Sequence, residues 1–255
     1  MFHQNLSIKL VVALWVVLCS LGQVKGYDDE HLVRLLQTNV CVRCNLMGVD
    51  LAGLDLAEAQ LNWTNLNYAN LEGVDLSGAQ LEGAHLWNAN LYNATLKDAY
   101  LINATLSGAN LSEANLSTAD FSMVDMSFAN LAVSNLSGSN LGGSRLYRAI
   151  LTKANMANAA LNGASMNWVD LSESNLKGAD LNRSNLWNAN LSGANLELAN
   201  LALTNLSGAD LSHTDLSRAN FTEASLVHSN LNGALFNETI LCKTEKTEGI
   251  DNSGC

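Results

Sequence analysis

An all-β solenoid is the fold class this sequence predicts: a four-sided β-helix of about ten coils, entered through a short N-terminal capping helix. Three observations carry that expectation. From Leu46 to Leu241 every fifth residue is apolar, and 34 of these 40 positions are Leu. Two residues before them the residue is usually small or compact, most often Ala, and the residue directly before them is most often Asn or Asp. Proline is absent.

A period of five fits neither the 3.6 of an α-helix nor the 2 of a flat strand. A helix would carry the Leu stripe around its whole circumference and leave no dry side. A square coil brings both the large and the small residue of every unit inward, one unit per side and four units per turn, so that knobs and spacers fill the centre. Coils stacked at the inter-strand distance of about 4.8 Å give a rod roughly 48 Å long. The exceptions to Leu, at Phe121, Met126, Met156, Met166, Phe221 and Phe236, are all apolar. Burial of each Leu contributes about 1.5–3 kcal/mol against the entropy of ordering the chain. Missing proline suits stacked coils, which use backbone donors that proline lacks. Asn and Asp beside each Leu suit tight turns, where their side chains bond nearby backbone.

Residues 1–26 are a different kind of sequence. Lys9 precedes an apolar run from Leu10 to Leu18 that continues to Leu21, and Val24 and Gly26 precede the acidic Asp28, Asp29 and Glu30. This is the shape of a secretory signal peptide, with predicted cleavage after Gly26. An uncleaved anchor is the weaker reading, because the run falls short of the roughly 20 residues of a spanning helix. The chain is thus expected to be exported to a periplasm, a thylakoid lumen or the extracellular space. The segment 27–45 is the expected cap. Asp28 to Leu36 reads as a short helix with acidic residues in its first turn, and Leu32, Leu35 and Leu36 lie on one face, suited to covering the first coil. The tail, 242–255, carries little apolar material beyond Ile250.

Removal of the leader takes Cys19 with it and leaves Cys41, Cys44, Cys242 and Cys255. In an oxidising compartment that even number favours disulfides, and Cys41–Cys44 and Cys242–Cys255 are the local pairs that geometry permits. A structural disulfide is favoured for the Cys-x-x-Cys over a redox pair or half a metal site. The other cysteines lie at the far end of the rod, and no His follows Cys44. Cys44 also holds the small-residue position of the first coil and should point inward.

The units, such as Ala69-Asn70-Leu71 and Ala179-Asp180-Leu181 each followed by two free positions, resemble the pentapeptide-repeat family over about 200 residues. The resemblance implies a right-handed quadrilateral β-helix with Leu central and Ala two residues before it. With its leader and its Cys-x-x-Cys before the first coil, the chain looks like exported cyanobacterial or chloroplast-lumen members. Most members have no established activity, and a few cytoplasmic ones resemble DNA in shape and charge and bind a type II topoisomerase.

Chemistry is sparse. Beyond the leader the histidines are His31, His85, His213 and His228, and His85 and His228 lie about seven coils apart, roughly 34 Å. No Gly-rich phosphate loop follows a strand, and the glycines read as occupants of variable positions. Asp55 and Asp75 stand one coil apart with backbones about 5 Å from each other, a spacing used by retaining glycosidases. A flat wet side has no cleft to exclude water, so they read as solvated carboxylates and the chain as a non-enzyme. No catalytic residue, cofactor or metal site is expected. Asn-x-Ser/Thr sequences, as at Asn62, Asn93, Asn103 and Asn237, follow almost automatically from the repeat.

Charge gives more. The chain without its leader has 11 Lys and Arg against 24 Asp and Glu, a formal charge of -13. That excludes general nucleic-acid binding, which needs a basic footprint. Sorted by a 20-residue period, the Leu51, Leu56 and Leu61 sides hold 6, 7 and 4 acids. The fourth side, the Leu46 column, holds one acid, Asp125, and two bases, Arg145 and Arg148. Six of the nine outward aromatics lie there: Tyr68, Trp87, Phe128, Tyr147, Trp168 and Trp187. Three sides are acidic and one is near neutral and aromatic. The expected function is that of an exported binding or interaction protein working through this side, with a protein or carbohydrate partner. A scaffold rod without a specific ligand and a DNA-mimic binding a topoisomerase are the alternatives; export would separate the latter from its cytoplasmic target.

The register makes a prediction of its own. Replacing the mid-array centre Leu136 with Asp puts an unpaired carboxylate into a dry core and should cost on the order of 4 kcal/mol or more. Thermal denaturation measures it, and an unchanged melting temperature would mean that Leu136 does not point inward.

Overall fold

A computed structural model describes residues 26–255. The predicted leader, apart from Gly26, lies outside the described residues. A short helix, α1 (Asp29–Thr38), leads into a continuous run of square coils, and the chain ends in a small antiparallel hairpin of β1 (Thr244–Lys246) and β2 (Gly249–Asp251). In α1 the Asp28 carboxylate accepts from the Glu30 and His31 amides at the N-terminus, and left-handed Asn39 closes the other end with its amide on the Leu35 carbonyl. Leu32, Leu35 and Leu36 are buried in one cluster with Cys41, Cys44 and Leu46.

The coils follow from how one five-residue unit satisfies its backbone. In the first full unit the Leu46 amide donates to the Asn65 carbonyl at 2.8 Å and the Gly48 amide to the Asn67 carbonyl at 2.8 Å, both one coil later. One coil on, the Asn65 amide donates back to the Cys44 carbonyl at 2.8 Å. The Val49 amide closes a turn on the Leu46 carbonyl at 3.2 Å. That leaves one orphan amide per unit, on the residue after the central Leu, and the Asn or Asp before the Leu takes it. Asp50 Oδ1 accepts from the Ala52 amide at 3.2 Å, and Asn110 Oδ1 from the Ser112 amide at 3.2 Å. The Asn/Asp column is therefore part of the hydrogen-bond scheme of the coil, an Asx turn repeated on every side that carries it.

Parallel bridges join residues 20 apart without a break, from Val40 with Gln60 to Ser225 with Glu245. Four units per coil and a constant register make the rod square. Inside, the central residues from Leu46 to Leu226 are fully buried, as are nearly all of the small residues two before them. Where Ser or Thr takes the small position, its hydroxyl finds a carbonyl in most units, as Ser134 does on Leu131 at 2.7 Å and Thr204 on Leu181 at 2.8 Å, whereas the buried Ser144 and Ser184 hydroxyls have no protein partner among the described residues.

The corners have a cost that the sequence reading did not anticipate. The second residue after every central position is left-handed from Arg43 to Lys243. With only the third turn residue at positive φ, each corner has the pattern of a type II turn. Glycine suits such a corner, and the glycines read from the sequence as occupants of variable positions nearly all stand here. Gly48, at φ 68, has open space where a Cβ would be. Val133, branched at Cβ and at φ 62, does not suit it.

The tail is better built than its composition suggests. Lys246 falls five residues after Leu241, in register with the central column, and lies over the Phe236 ring at 6.0 Å. Its Nζ donates to Asp251 Oδ2 at 2.6 Å across the hairpin. Cys242 and Cys255 close the loop with a disulfide, Cα atoms 4.7 Å apart. Lys246 thus ends the apolar column with a charge, over the Leu226 side, while Leu231, Ala234 and Phe236 on other sides are only partly buried. The Lys246 ammonium, followed by the Ser253 amide, holds the Asp251 carboxyl well below the usual carboxylate range.

Two predictions follow from these corners and this tail. Val133→Gly should raise stability by about 1 kcal/mol and Gly48→Val should lower it by about as much, since both positions are exposed corners where backbone conformation outweighs packing. Equilibrium denaturation checks the pair, and equal and opposite shifts identify backbone conformation as the cause. Asp251→Asn should lower the melting temperature at pH 7. Because the folded carboxyl is depressed, its contribution is present above the ordinary aspartate value of about 3.9 and is lost as pH falls through the folded one. The gap between variant and parent should therefore narrow below about pH 4.

Candidate interaction face

The unbroken 20-residue register places the aromatics of the Leu46 column on one side of the rod. They are not evenly spread along it. Tyr68 meets Trp87 with ring centroids 4.9 Å apart, Phe128 meets Tyr147 at 5.4 Å, and Trp168 meets Trp187 at 5.4 Å. All three pairs are edge-to-face, with interplanar angles of 68° to 87°. Each joins the left-handed corner residue of one coil to the residue after the central position of the next. The backbone explains why: the corner amide of Tyr68 donates to the Trp87 carbonyl at 2.9 Å, which sets one side chain directly over the other. An aromatic pair 19 residues apart in these positions meets by construction, at about 0.5–1.5 kcal/mol beyond its buried area.

The rings remain open to solvent. Phe128 keeps 55% of its surface and Trp168 45%. The Arg148 guanidinium lies 5.4 Å from the Tyr147 ring centroid, a cation–π contact within the middle pair. Arg145 is exposed and bridges between Asp125 and Ser165 in the ladder, and makes no comparable ring contact among the described residues. The structure thus groups the eight residues singled out on this side into three ring pairs, with Arg148 against one of them, and Ser107 and Gly108 leave a gap between the first pair and the second. Exposed aliphatic residues are not confined here: Leu198, Leu203 and Leu235 are exposed on other sides. The sequence reading sorted only aromatics and charges, and so passed over them.

The acidic sides are organised by the same stacking. Asn70 Nδ2 donates to Asp50 at 2.9 Å, Asn90 to Asn70 at 3.2 Å, Asn110 to Asn90 at 3.2 Å and Asn130 to Asn110 at 3.3 Å, until Ile150 interrupts the ladder. A carboxylate has nothing to donate, so Asp stands at the head of its ladder, as Asp120, Asp170, Asp180 and Asp210 also do. Cross-coil ion pairs such as Lys177 with Glu197 at 2.6 Å and Arg218 with Glu238 at 2.8 Å lie on exposed surface, where each stabilises little. Asp55 and Asp75 are bridge partners one coil apart, and each accepts a turn amide, Ala57 at 3.2 Å and Ser77 at 2.9 Å. That is the same backbone duty as their counterparts on every side.

The remaining polar groups are dispersed. His31 Nδ1 accepts from the Asn45 amide at 3.1 Å, and His85 lies 3.4 Å from the Thr105 hydroxyl. Cys41 and Cys44 form a disulfide with Cα atoms 5.4 Å apart. Among the described residues no group of three or more His, Cys, Asp or Glu is arranged to hold a metal ion, and no helix is long and apolar enough to cross a membrane.

Comparison with known proteins agrees with the geometry. The family model described as Pentapeptide repeats (8 copies) matches residues 44–83, 75–112, 99–132, 129–167, 164–202 and 199–237. No curated protein matches the chain. Among solved structures, the chain is similar to HetL, a pentapeptide repeat protein involved in heterocyst differentiation regulation from the cyanobacterium Nostoc sp. strain PCC 7120, with 31% identity over 83% of this chain and 91% of that one at a TM-score of 0.33. It is similar to a pentapeptide repeat protein of the Arabidopsis thaliana thylakoid lumen, with 26% identity over 49% of this chain and 70% of that one at a TM-score of 0.36. A trypsin-treated form of QnrB1, a plasmid-mediated fluoroquinolone resistance protein, shares the fold at a TM-score of 0.52, with 20% identity over 68% of this chain and 88% of its own. With the family model spanning most of its length and every unit folded as one side of a square coil, the chain belongs to the pentapeptide-repeat family.

Proposed function

We propose that this chain is an exported, non-enzymatic binding rod whose Leu46 side docks a protein partner. In this reading residues 1–26 are a cleaved leader, 27–45 cap the rod with α1, 46–241 make ten coils, and 242–255 close the far end. The observation that carries it is the placing of three exposed aromatic pairs on the one side that is nearly free of carboxylates. Aromatic and Arg side chains are the commonest anchors of protein interfaces. The ring geometry favours a protein over a sugar chain. Rings crossed at 68° to 87° stand as ridges rather than as one flat platform, which suits interdigitation with side chains better than stacking on pyranose faces. Acids on the other three sides repel acidic surfaces and leave this side as the one an acidic or neutral partner can approach.

A scaffold rod is the competing reading, favoured by the fact that the rings already shield one another in pairs. Replacing both Trp168 and Trp187 with Ser separates the two. The double variant should lose at least about tenfold in capture of partners from the compartment where the protein resides, and its melting should fall only by the pair's own contribution of about 1 kcal/mol. Trp63→Ser, on another side, should leave capture intact. Lowered melting with capture unchanged would make the face structural, and retention on a glycan array would replace the protein partner with a carbohydrate. Sequencing of the mature N-terminus tests export, which expects Tyr27 in an exported fraction; Met1 in a cytoplasmic one would instead favour a DNA-mimic role.

A further inference from the structure

The Cys41–Cys44 disulfide occupies an unusual place in the repeat. Cys41 holds the central position of the unit before Leu46, and Cys44 holds the small position that follows it across a left-handed corner at Arg43. Elsewhere these two positions carry an apolar side chain and a small one that merely touch. Here they are bonded and enclosed between α1 and the first coil, Cys41 fully and Cys44 almost fully buried. Two groups of α1 face the sulfurs. The His31 carbonyl oxygen lies 3.1 Å from Cys41 Sγ. Arg34 Nη2 lies 2.6 Å from Cys44 Sγ and 3.9 Å from Cys41 Sγ. Among the described residues the Arg34 guanidinium forms no ion pair, and its hydrogen-bond contacts are to the two sulfurs.

We propose that Cys41–Cys44 is a redox-exchange site, opened by a dithiol reductant and held in its reduced form by Arg34 on the Cys44 thiolate and the His31 carbonyl on the Cys41 thiol. The two partners match the two products. A carbonyl oxygen accepts from an S–H and repels a thiolate, whereas a guanidinium favours the thiolate. A thiolate of the reductant attacks Cys41 Sγ, the Cys41–Cys44 bond breaks, and its electron pair leaves on Cys44 beside Arg34. The second thiol of the reductant then attacks the mixed disulfide. The reductant departs as its own disulfide, Cys41 takes up a proton as a thiol, and the net reaction releases one proton with Cys44 left as thiolate. The pair is enclosed, so exchange proceeds through local opening of α1, which packs on the end of the coils. Stabilising the reduced form makes a disulfide more oxidising. The partner this site fits is a thiol–disulfide protein with its own cysteine pair, reached independently of the aromatic side.

The second disulfide supplies an internal control. Cys242–Cys255 is the more exposed pair, and its recorded polar contact is Asn252, with no cation directed at it. The test equilibrates the full chain with graded ratios of reduced to oxidised dithiothreitol, alkylates it, and maps each pair by mass spectrometry. Cys41–Cys44 should open at a lower ratio than Cys242–Cys255. Arg34→Gln should move the Cys41–Cys44 equilibrium about tenfold toward the disulfide, equal to about 30 mV for a two-electron couple. It should also slow alkylation of reduced Cys44 near neutral pH, with Arg34→Lys restoring most of both effects and Cys242–Cys255 unmoved throughout. An equilibrium and an alkylation rate indifferent to Arg34 would overturn the proposal, as would a Cys41–Cys44 bond that persists in the folded chain at ratios that open Cys242–Cys255.

Discussion

Everything in this rod depends on finding a partner for each backbone amide of a five-residue unit. Two amides reach the next coil, one reaches the previous coil, and one closes the corner. The fifth has no backbone acceptor, and the Asn or Asp before the central Leu supplies one. An unsatisfied amide costs about 1–3 kcal/mol where it is shut away from water, so a defect repeated along forty units would exceed the stability of an ordinary domain. The scheme commits four of every five amides to backbone acceptors, which leaves proline little room and holds the register of 20 unbroken from Val40 to Glu245.

The same constraint explains what could be read beforehand and what could not. The central Leu and its small neighbour are legible because burial acts on the side chain, and side-chain type is what a sequence displays. Asn and Asp were legible as turn formers, though not as the acceptors of one particular amide or as ladders that Ile150 interrupts. The left-handed corner was in plain sight and went unread. Thirteen of its residues are Gly, yet Glu, Arg, Asn and aromatic residues share the column and blur the signal. The hairpin and its Lys246 were missed for a different reason. The five-residue count continues past Leu241, but its last position is a charge that Asp251 neutralises, and apolar periodicity does not display it. The aromatic side was located by counting, whereas its pairing depends on corner geometry that the count does not contain.

Function is placed on this frame with little freedom. The interior is used up by packing and the flat sides by ladders, so side chains are free to project mainly at the corner and at the residue before it. These two positions meet across adjacent coils, and that contact builds the three ring pairs, while Arg148 lies over its sequence neighbour Tyr147 within one coil. A rod of this kind offers a rigid ruler on which anchors can be spaced. At the junction of α1 with the first coil the repeat is chemically altered, and two bonded cysteines replace a packing contact.

The account stands or falls on the square register. Spin labels placed on Ala52→Cys and Ser172→Cys would sit on one side of the rod, 120 residues and six coils apart. With both native cysteine pairs closed, a pulsed-resonance distance measurement on this variant should give about 29 Å at the coil spacing. A three-sided coil of 15 residues would put the same labels about 38 Å apart, and that result would contradict the four-sided rod and the face assignment built on it.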